Sequence, residues 1–266
     1  MLETIRDHVA KLLKEGRIQG FLGLREADGQ VTPHLFTRVE ELDHLSLGDR
    51  KKKGDTRYPL DKILIHLAAK HPEATFGILV RGCDERGLVE LVKWNLLREE
   101  RIVPVGIGCP GELAERCECA KPFPDAMVAG EKGEGVENES VRRILALDTR
   151  ERLKYWLKEF SKCIHCHGCR DICPMCFCKV CTLEDESLVY TGDVPPESPV
   201  FHLVRGVQMA GRCIDCGLCN EACPADIPVR TLYKRVADIL DEQTGYRPGF
   251  EKEAKSPLNV IGPAPE

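Results

Sequence analysis

The sequence predicts an α/β N-terminal domain followed by a mainly helical and loop-rich C-terminal domain. Three observations carry that reading. Residues 1–110 alternate runs of helical period with compact, strand-like apolar runs. A Gly-, Pro- and Glu-rich stretch then breaks the pattern before residue 140. Beyond it, seven cysteines fall within the nineteen positions Cys163–Cys181, and four more lie between Cys213 and Cys223. The implied boundaries are 1–120 for the α/β domain, 121–140 for a linker, 141–242 for the cysteine-bearing domain and 243–266 for an extended tail.

Ile5, Val9, Leu12 and Leu13 fall at helical spacing, so the chain opens on an amphipathic helix that stops at Gly16, with RIQGFLGL next as a strand. FGILV (Phe76–Val80) is the compact apolar run of a buried parallel strand. RGCDERG reads as the loop after it, LVELVKWNLLREE as a helix and RIVPVGIG as a third strand. That order implies a parallel sheet with right-handed crossovers. Cys109 to Ser140 read as an irregular connection. SVRRILALDTRERLKYWLKEF reads as one helix capped by Ser140, with Leu145, Leu153, Trp156, Leu157 and Phe160 on its apolar side. VFHLVRGVQMAG and IPVRTLYKRVADILDEQ are helices entering and leaving the second cysteine run. The acidic stretch TLEDESLVYTGDVPPESP links the two runs, and the proline-rich tail is expected to be extended.

Composition narrows the function classes. Apolar residues make up 42% of the 266 and charged ones 30%, an ordinary globular mixture. A net charge of −5 offers no footprint for nucleic acid, and the Arg50–Lys53 and Arg98–Arg101 runs are short, solvated surface. No apolar run approaches about 18 residues, so no membrane span is expected. The N-terminus lacks the basic and apolar segments of a secretory signal. A cytoplasmic protein is therefore expected, in which ordinary thiols stay reduced. Fifteen cysteines, an odd number, fit a disulfide framework poorly and bound metal well.

Cys163, Cys166, Cys169 and Cys173-Pro174 match C-x2-C-x2-C-x3-C-P, and Cys213, Cys216, Cys219 and Cys223-Pro224 match it again. This is the run of two-cluster ferredoxins, in which the fourth cysteine of each run ligates the other cluster. Three thiolates on a tight loop reach three irons of one cubane, and the proline turns the chain toward the second. The spacing thus assigns Cys163, Cys166, Cys169 and Cys223 to one [4Fe–4S] cluster, and Cys213, Cys216, Cys219 and Cys173 to the other. Zinc uses paired C-x2-C knuckles, which leaves the third cysteine and the proline of each run without a purpose. Cys169–Cys176 also reads as C-x3-C-x2-C, the pattern of radical S-adenosylmethionine enzymes, but their surrounding barrel has no counterpart here. The C-terminal domain is accordingly expected to be two-cluster ferredoxin-like.

Seven cysteines remain. Cys176, Cys178 and Cys181 are too cramped for a tetrahedral site of their own. A third [4Fe–4S] cluster shared with Cys109, Cys117 or Cys119, a zinc site and free buried thiols all stay open, and Cys83 carries no assignment. His165 and His167, between ligating cysteines, are expected to face outward or to tune the cluster through hydrogen bonds.

LLKEGRIQGFLGL, GDTRYPLDKILIHLAAK and FGILVRGCDERGLVELVKWN…IVPVGIGCPG together resemble the beta subunits of deazaflavin-coenzyme-reducing hydrogenases and formate dehydrogenases, over about residues 8–112. The C-terminal part resembles the dicluster ferredoxin modules of such assemblies and of heterodisulfide-reductase-type complexes. In that family the α/β domain binds FAD. By position the resemblance carries flavin contacts onto Gly54, Arg57 and Tyr58, matching a G-S-K-Y-like loop, and onto Arg81 and Gly82, which with Cys83 match the loop after a strand. The family's early glycine pair and N-terminal cluster segment have no match, and no GxGxxG occurs. Two functions follow as expectations. One is an iron–sulfur electron-transfer subunit between catalytic and acceptor subunits of a formate dehydrogenase or hydrogenase complex, feeding a heterodisulfide-reductase-like partner. The alternative is an FAD-containing reductase subunit passing electrons between a hydride carrier, such as the deazaflavin coenzyme, and its own clusters.

Overall fold

A computed structural model describes residues 1–185, 187 and 199–258, and these fall into two compact units, residues 1–137 and the chain from Asn138 onward. Most of the acidic stretch between the cysteine runs, and the last residues of the tail, lie outside the described residues.

The first unit is built on a six-stranded sheet. Helix α1 (Leu2–Lys14) buries Ile5, Val9 and Leu12 on one face, as their spacing predicts. Strand β1 (Gly20–Ala27) turns at Asp28-Gly29 into β2 (Gln30–Phe36). Both turn residues have positive φ, 51° and 70°, the conformation that Asp-Gly hairpins favour. The short β3 (Leu45–Ser46) precedes α2 (Leu60–Lys70), β4 (Phe76–Val80), α3 (Gly82–Lys93), β5 (Ile102–Ile107), α4 (Gly111–Arg116) and β6 (Met127–Ala129). The sheet order is β2-β1-β4-β5-β6, with β3 also on β1. β1, β4, β5 and β6 run parallel, while β2 and β3 are antiparallel to β1. Every residue of β4 is buried, as a central parallel strand requires.

Three details differ from the sequence reading. RGCDERG is not a loop: α3 starts at Gly82, because the Asp84 carboxylate accepts the Arg81 N–H at 2.8 Å and acidic residues fill the first turn. The β1–β2 hairpin was not anticipated, although its Asp-Gly signal is plain. The stretch after Cys109 is not wholly irregular, since it carries α4 and β6. Its fit against β5 is close: a Cβ on Gly106 would lie 2.2 Å from the Ala126 carbonyl oxygen, which accepts the Gly106 N–H at 2.9 Å. Gly106→Ala is therefore expected to cost about 1–3 kcal/mol. A denaturant midpoint for this unit equal to that of the wild type would contradict it.

The second unit is helical: α5 (Glu139–Leu145), α6 (Thr149–Phe160), the short α7 (Gly168–Asp171), α8 (Val200–Met209), the short α9 (Leu218–Glu221) and α10 (Val229–Thr244). The single helix read from residue 140 to 160 is thus two. Asp148 accepts the N–H groups of Arg150 and Glu151 at 2.8 Å, and Glu151 accepts that of Asp148 at 3.1 Å, a reciprocal cap that starts α6 afresh. Asn138 rather than Ser140 caps α5, accepting the Val141 N–H at 2.9 Å. Leu153 and Leu157 are exposed, and Phe160 is the buried residue of α6. Helix α10 packs on α5, α8 and α9, and α7 packs on α9. Among the described residues no helix is long and apolar enough to cross a membrane.

Candidate metal centres

The two cysteine runs fold into the same backbone device, fifty residues apart. His165 and Asp215, two residues past the first cysteine of each run, have φ of 55° and 56°; His167 and Gly217, one past the second cysteine, have 57° and 78°. Histidine and aspartate tolerate this left-handed region better than most residues. The turn then closes into α7 or α9. The Arg170 N–H donates to His167 O (2.8 Å) and the Asn220 N–H to Gly217 O (3.0 Å). Further on, the Cys173 N–H donates to Arg170 O (3.1 Å) and the Cys223 N–H to Asn220 O (3.2 Å). Each loop so presents three cysteines, with the fourth at the exit of its short helix.

Cys163, Cys166, Cys169 and Cys223 line one small cavity, together with Pro224, Ile227, His167, Phe201 and His202. Backbone amides point at two of the sulfurs: the His165 N–H reaches Cys163 Sγ at 3.4 Å and the Ile227 N–H reaches Cys223 Sγ at 3.4 Å. Such donors favour the anionic form of a thiolate. The histidines do not face outward. His165 and His167 stack at 4.5 Å and meet the Phe201 ring edge-on, while His202 lies on Phe160 at 4.3 Å, both its ring nitrogens buried and, among the described residues, without a hydrogen-bond partner.

Cys213, Cys216 and Cys219 form the second group: Cys213 and Cys216 are charge neighbours of Cys219, and Cys216 is also a charge neighbour of Cys173. Arg230 closes this side, its guanidinium donating to Asp215 at 2.7 Å. Metal-free, Cys169 and Cys213 are held protonated, because burial pushes each of them up to about 11. The folded chain then holds these protons more tightly than an unfolded one. That stability is present below the ordinary thiol pKa and is lost as pH rises toward 11. Chelator-stripped protein is expected to lose about 1–2 kcal/mol per buried thiol between about pH 9 and pH 11. A melting temperature flat across that range would contradict it.

Four thiols around one cavity, sulfur-directed amides and orphaned polar atoms in its wall fit an iron–sulfur cluster at the first set. Thiolate donors and a loop of the same form suit one at the second. Among the described residues no three His, Cys, Asp or Glu side chains gather closely enough for a single metal ion.

The other cysteines fall into two groups. Cys176, Cys178 and Cys181 stay in the second unit: Cys176 Sγ is 2.8 Å from Arg205 Nη1, and Cys178 Sγ is 4.0 Å from Arg212 Nη1. Cys83, Cys109, Cys117 and Cys119 belong to the first. There Arg57 donates to Cys117 Sγ at 3.3 Å, Arg81 lies 3.9 Å from Cys109 Sγ, and Cys109 has Cys83 and Cys119 as charge neighbours. The sequence reading joined Cys109, Cys117 or Cys119 to the 176–181 group and left out Cys83.

In the first unit a cavity of about 550 Å³ opens beyond the carboxyl ends of β4 and β5, lined by Arg6, Ser46, Asp49, Lys53, Arg81 and Gly108 among others. Of the five residues matched to flavin contacts, Arg81 reaches it. Gly54 lies beside Arg81, where an added Cβ would meet Arg81 Nη2 at 3.3 Å; Arg57 is on Cys117; Tyr58 donates to Val31 O at 3.1 Å; Gly82 begins α3. The amides of Arg50, Lys51 and Lys52, a natural anion cradle, are taken by the Asp55 carboxylate at 2.7–3.0 Å, which holds its pKa down to about 2. Arg205 was missed by the sequence reading. The i, i+4, i+8 spacing of Phe201, Arg205 and Met209, all buried, was the available signal.

A repeated three-cysteine loop with a crossing fourth ligand position, carried on a small helical unit, defines an iron–sulfur protein of the two-cluster ferredoxin class. Residues 162–228 match the family described as "4Fe-4S dicluster domain". The chain is similar to the F420-dependent formate dehydrogenase subunit beta of Methanocaldococcus jannaschii, 32% identical over 233 residues, covering 85% of this chain and 56% of that protein. It is also similar to the F420-dependent formate dehydrogenase 1 subunit beta of Methanococcus maripaludis, 41% identical over 106 residues, 40% of this chain and 27% of that one. The chain thus spans about half of the first relative and about a quarter of the second.

Proposed function

We propose that this chain is a cytoplasmic electron-transfer subunit, taking electrons from a catalytic subunit and passing them to an acceptor. The complex is of the formate dehydrogenase or hydrogenase type, with a heterodisulfide-reductase-like partner on the acceptor side. The observation that carries the reading is the cavity that gathers Cys163, Cys166, Cys169 and Cys223 from both runs. In this reading those four residues hold one [4Fe–4S] cluster, and Cys213, Cys216, Cys219 and Cys173 hold the second. Bound there, each cluster supplies one-electron chemistry. The chain's own part is to supply thiolates, to aim amides at the sulfurs, and to keep water out with the buried Phe201 and Ile227. Contact between α7 and α9 keeps the two sets close, as an electron path needs. A third cluster would draw on Cys176, Cys178 and Cys181.

The test is electron paramagnetic resonance of anaerobically purified, dithionite-reduced protein. The expected result is the broadened signal of two interacting [4Fe–4S] clusters. A featureless spectrum from protein that contains zinc would refute the reading.

One observation favours a second reading. The cavity of about 550 Å³ at the carboxyl ends of parallel strands is where α/β sheets bind nucleotide-like ligands. An FAD there, with Arg81 against it, would make the chain a reductase subunit fed by a hydride carrier such as a deazaflavin. Flavin absorption bands in the purified protein separate the two readings.

A further inference from the structure

Arg205 is buried, with 1% of its surface exposed, and it lies where the two cysteine sets meet. Its Nη1 donates to Cys176 Sγ at 2.8 Å and its Nη2 to the Cys169 carbonyl oxygen at 3.5 Å. The guanidinium carbon sits 5.6 Å from the centre of the Tyr233 ring. Among the described residues no carboxylate forms an ion pair with it. Arg230, the other buried arginine of this unit, is different: Asp215 neutralises it at 2.7 Å. A guanidinium removed from water persists only against an opposite charge. The candidates within reach are sulfurs: Cys169 of the first set, Cys173 of the second, and Cys176, all charge neighbours of Arg205.

We infer that Arg205 is a positioning residue for both clusters. It fixes the Cys169 carbonyl and Cys176 where the two sets approach, and its unbalanced charge raises both reduction potentials. The inference rests on the two-cluster reading above. The electrostatic step is simple. Reduction adds one electron, supplied from outside the chain, makes or breaks no bond, and leaves one more negative charge in the site. A fixed cation nearby stabilises that charge, as protein charge and hydrogen bonding to sulfur tune such centres generally. Among the described residues Arg205 also meets the sulfurs without a competing carboxylate, so little of its charge is cancelled there. Its nearness to both Cys169 and Cys173 makes the effect common to both centres. Arg230, already paired with Asp215, exerts much less.

The experiment is a potentiometric titration of Arg205→Gln and Arg205→Lys beside the wild type, with iron and sulfide counted on every sample. Both midpoint potentials are expected to fall in R205Q at unchanged iron content, with R205K between R205Q and the wild type. Potentials that do not move at full iron content overturn the inference. Should R205Q lose iron, R205K decides. Iron retained with lowered potentials supports the inference, whereas iron lost there too makes Arg205 a structural prop and overturns it. A wild type without iron is a separate outcome and refutes the two-cluster reading instead.

Discussion

Replacing Cys216 by serine removes about four irons and four sulfides per chain and leaves about as many in place. Cys216 is the charge neighbour of both Cys219 and Cys173, so it is the residue through which the second set is joined. A serine oxygen there is a poor partner for a soft iron–sulfide corner. The first set has its own cavity, lined by Cys163, Cys166, Cys169 and Cys223, and does not depend on that thiolate. The crossed pairing gives the same experiment a sharper edge. Cys223 belongs to the second run by sequence but lies with the first by geometry, so Cys223→Ser is expected to match Cys163→Ser and not Cys216→Ser. Iron analysis and the reduced-state spectrum of each variant read this directly. Unchanged iron in C216S, or a C223S spectrum that matches C216S, would break the ligand pairing.

Truncating Phe201 to alanine costs about 3–5 kcal/mol of stability in the second unit and opens the first cluster's site to solvent. The side chain is 2% exposed, packs with Leu183, and meets the rings of His165, His167 and His202 at 4.7, 5.6 and 5.1 Å. It also forms part of the cavity wall beside the four cysteines. The void left by a phenyl ring removes a neighbour from three histidine rings as well as admitting water and oxygen. Chemical denaturation is expected to show the stability loss, and exposure to air to strip iron from the first set faster than from the second. A midpoint within about 1 kcal/mol of the wild type, or equal rates of iron loss, would contradict this role.

Much of this was legible in the residues, for reasons that differ by element. The alternation of Ile5, Val9 and Leu12 found its helix because a single buried face dictates it. FGILV found its strand because a parallel strand covered on both sides must be apolar throughout. The cysteine runs announce a repeated loop, since the spacing of three ligands leaves the backbone little freedom; His165, His167, Asp215 and Gly217 repeat the same left-handed turns. Capping chemistry was under-read. Asp84 at the start of α3 and the Asp148–Glu151 pair at the start of α6 both write a helix start into the sequence, yet the apolar pattern runs straight across them. Asp28-Gly29 likewise writes a hairpin, since both residues take the left-handed conformation its turn needs. What sequence could not supply was convergence. Cys83, Cys109, Cys117 and Cys119 come from three separate segments. The Asp55 carboxylate fills the amide cradle of Arg50–Lys52 only once the loop is folded. Arg205 looks like a surface charge until α8 buries it.

The most direct test of the account is the iron, sulfide, zinc and flavin content per chain of anaerobically purified protein. Two clusters held by the eight cysteines require about eight irons, as many sulfides and no flavin, and about twelve irons would enrol Cys176, Cys178 and Cys181 in a third. Zinc in place of iron, or one flavin per chain, would contradict the account.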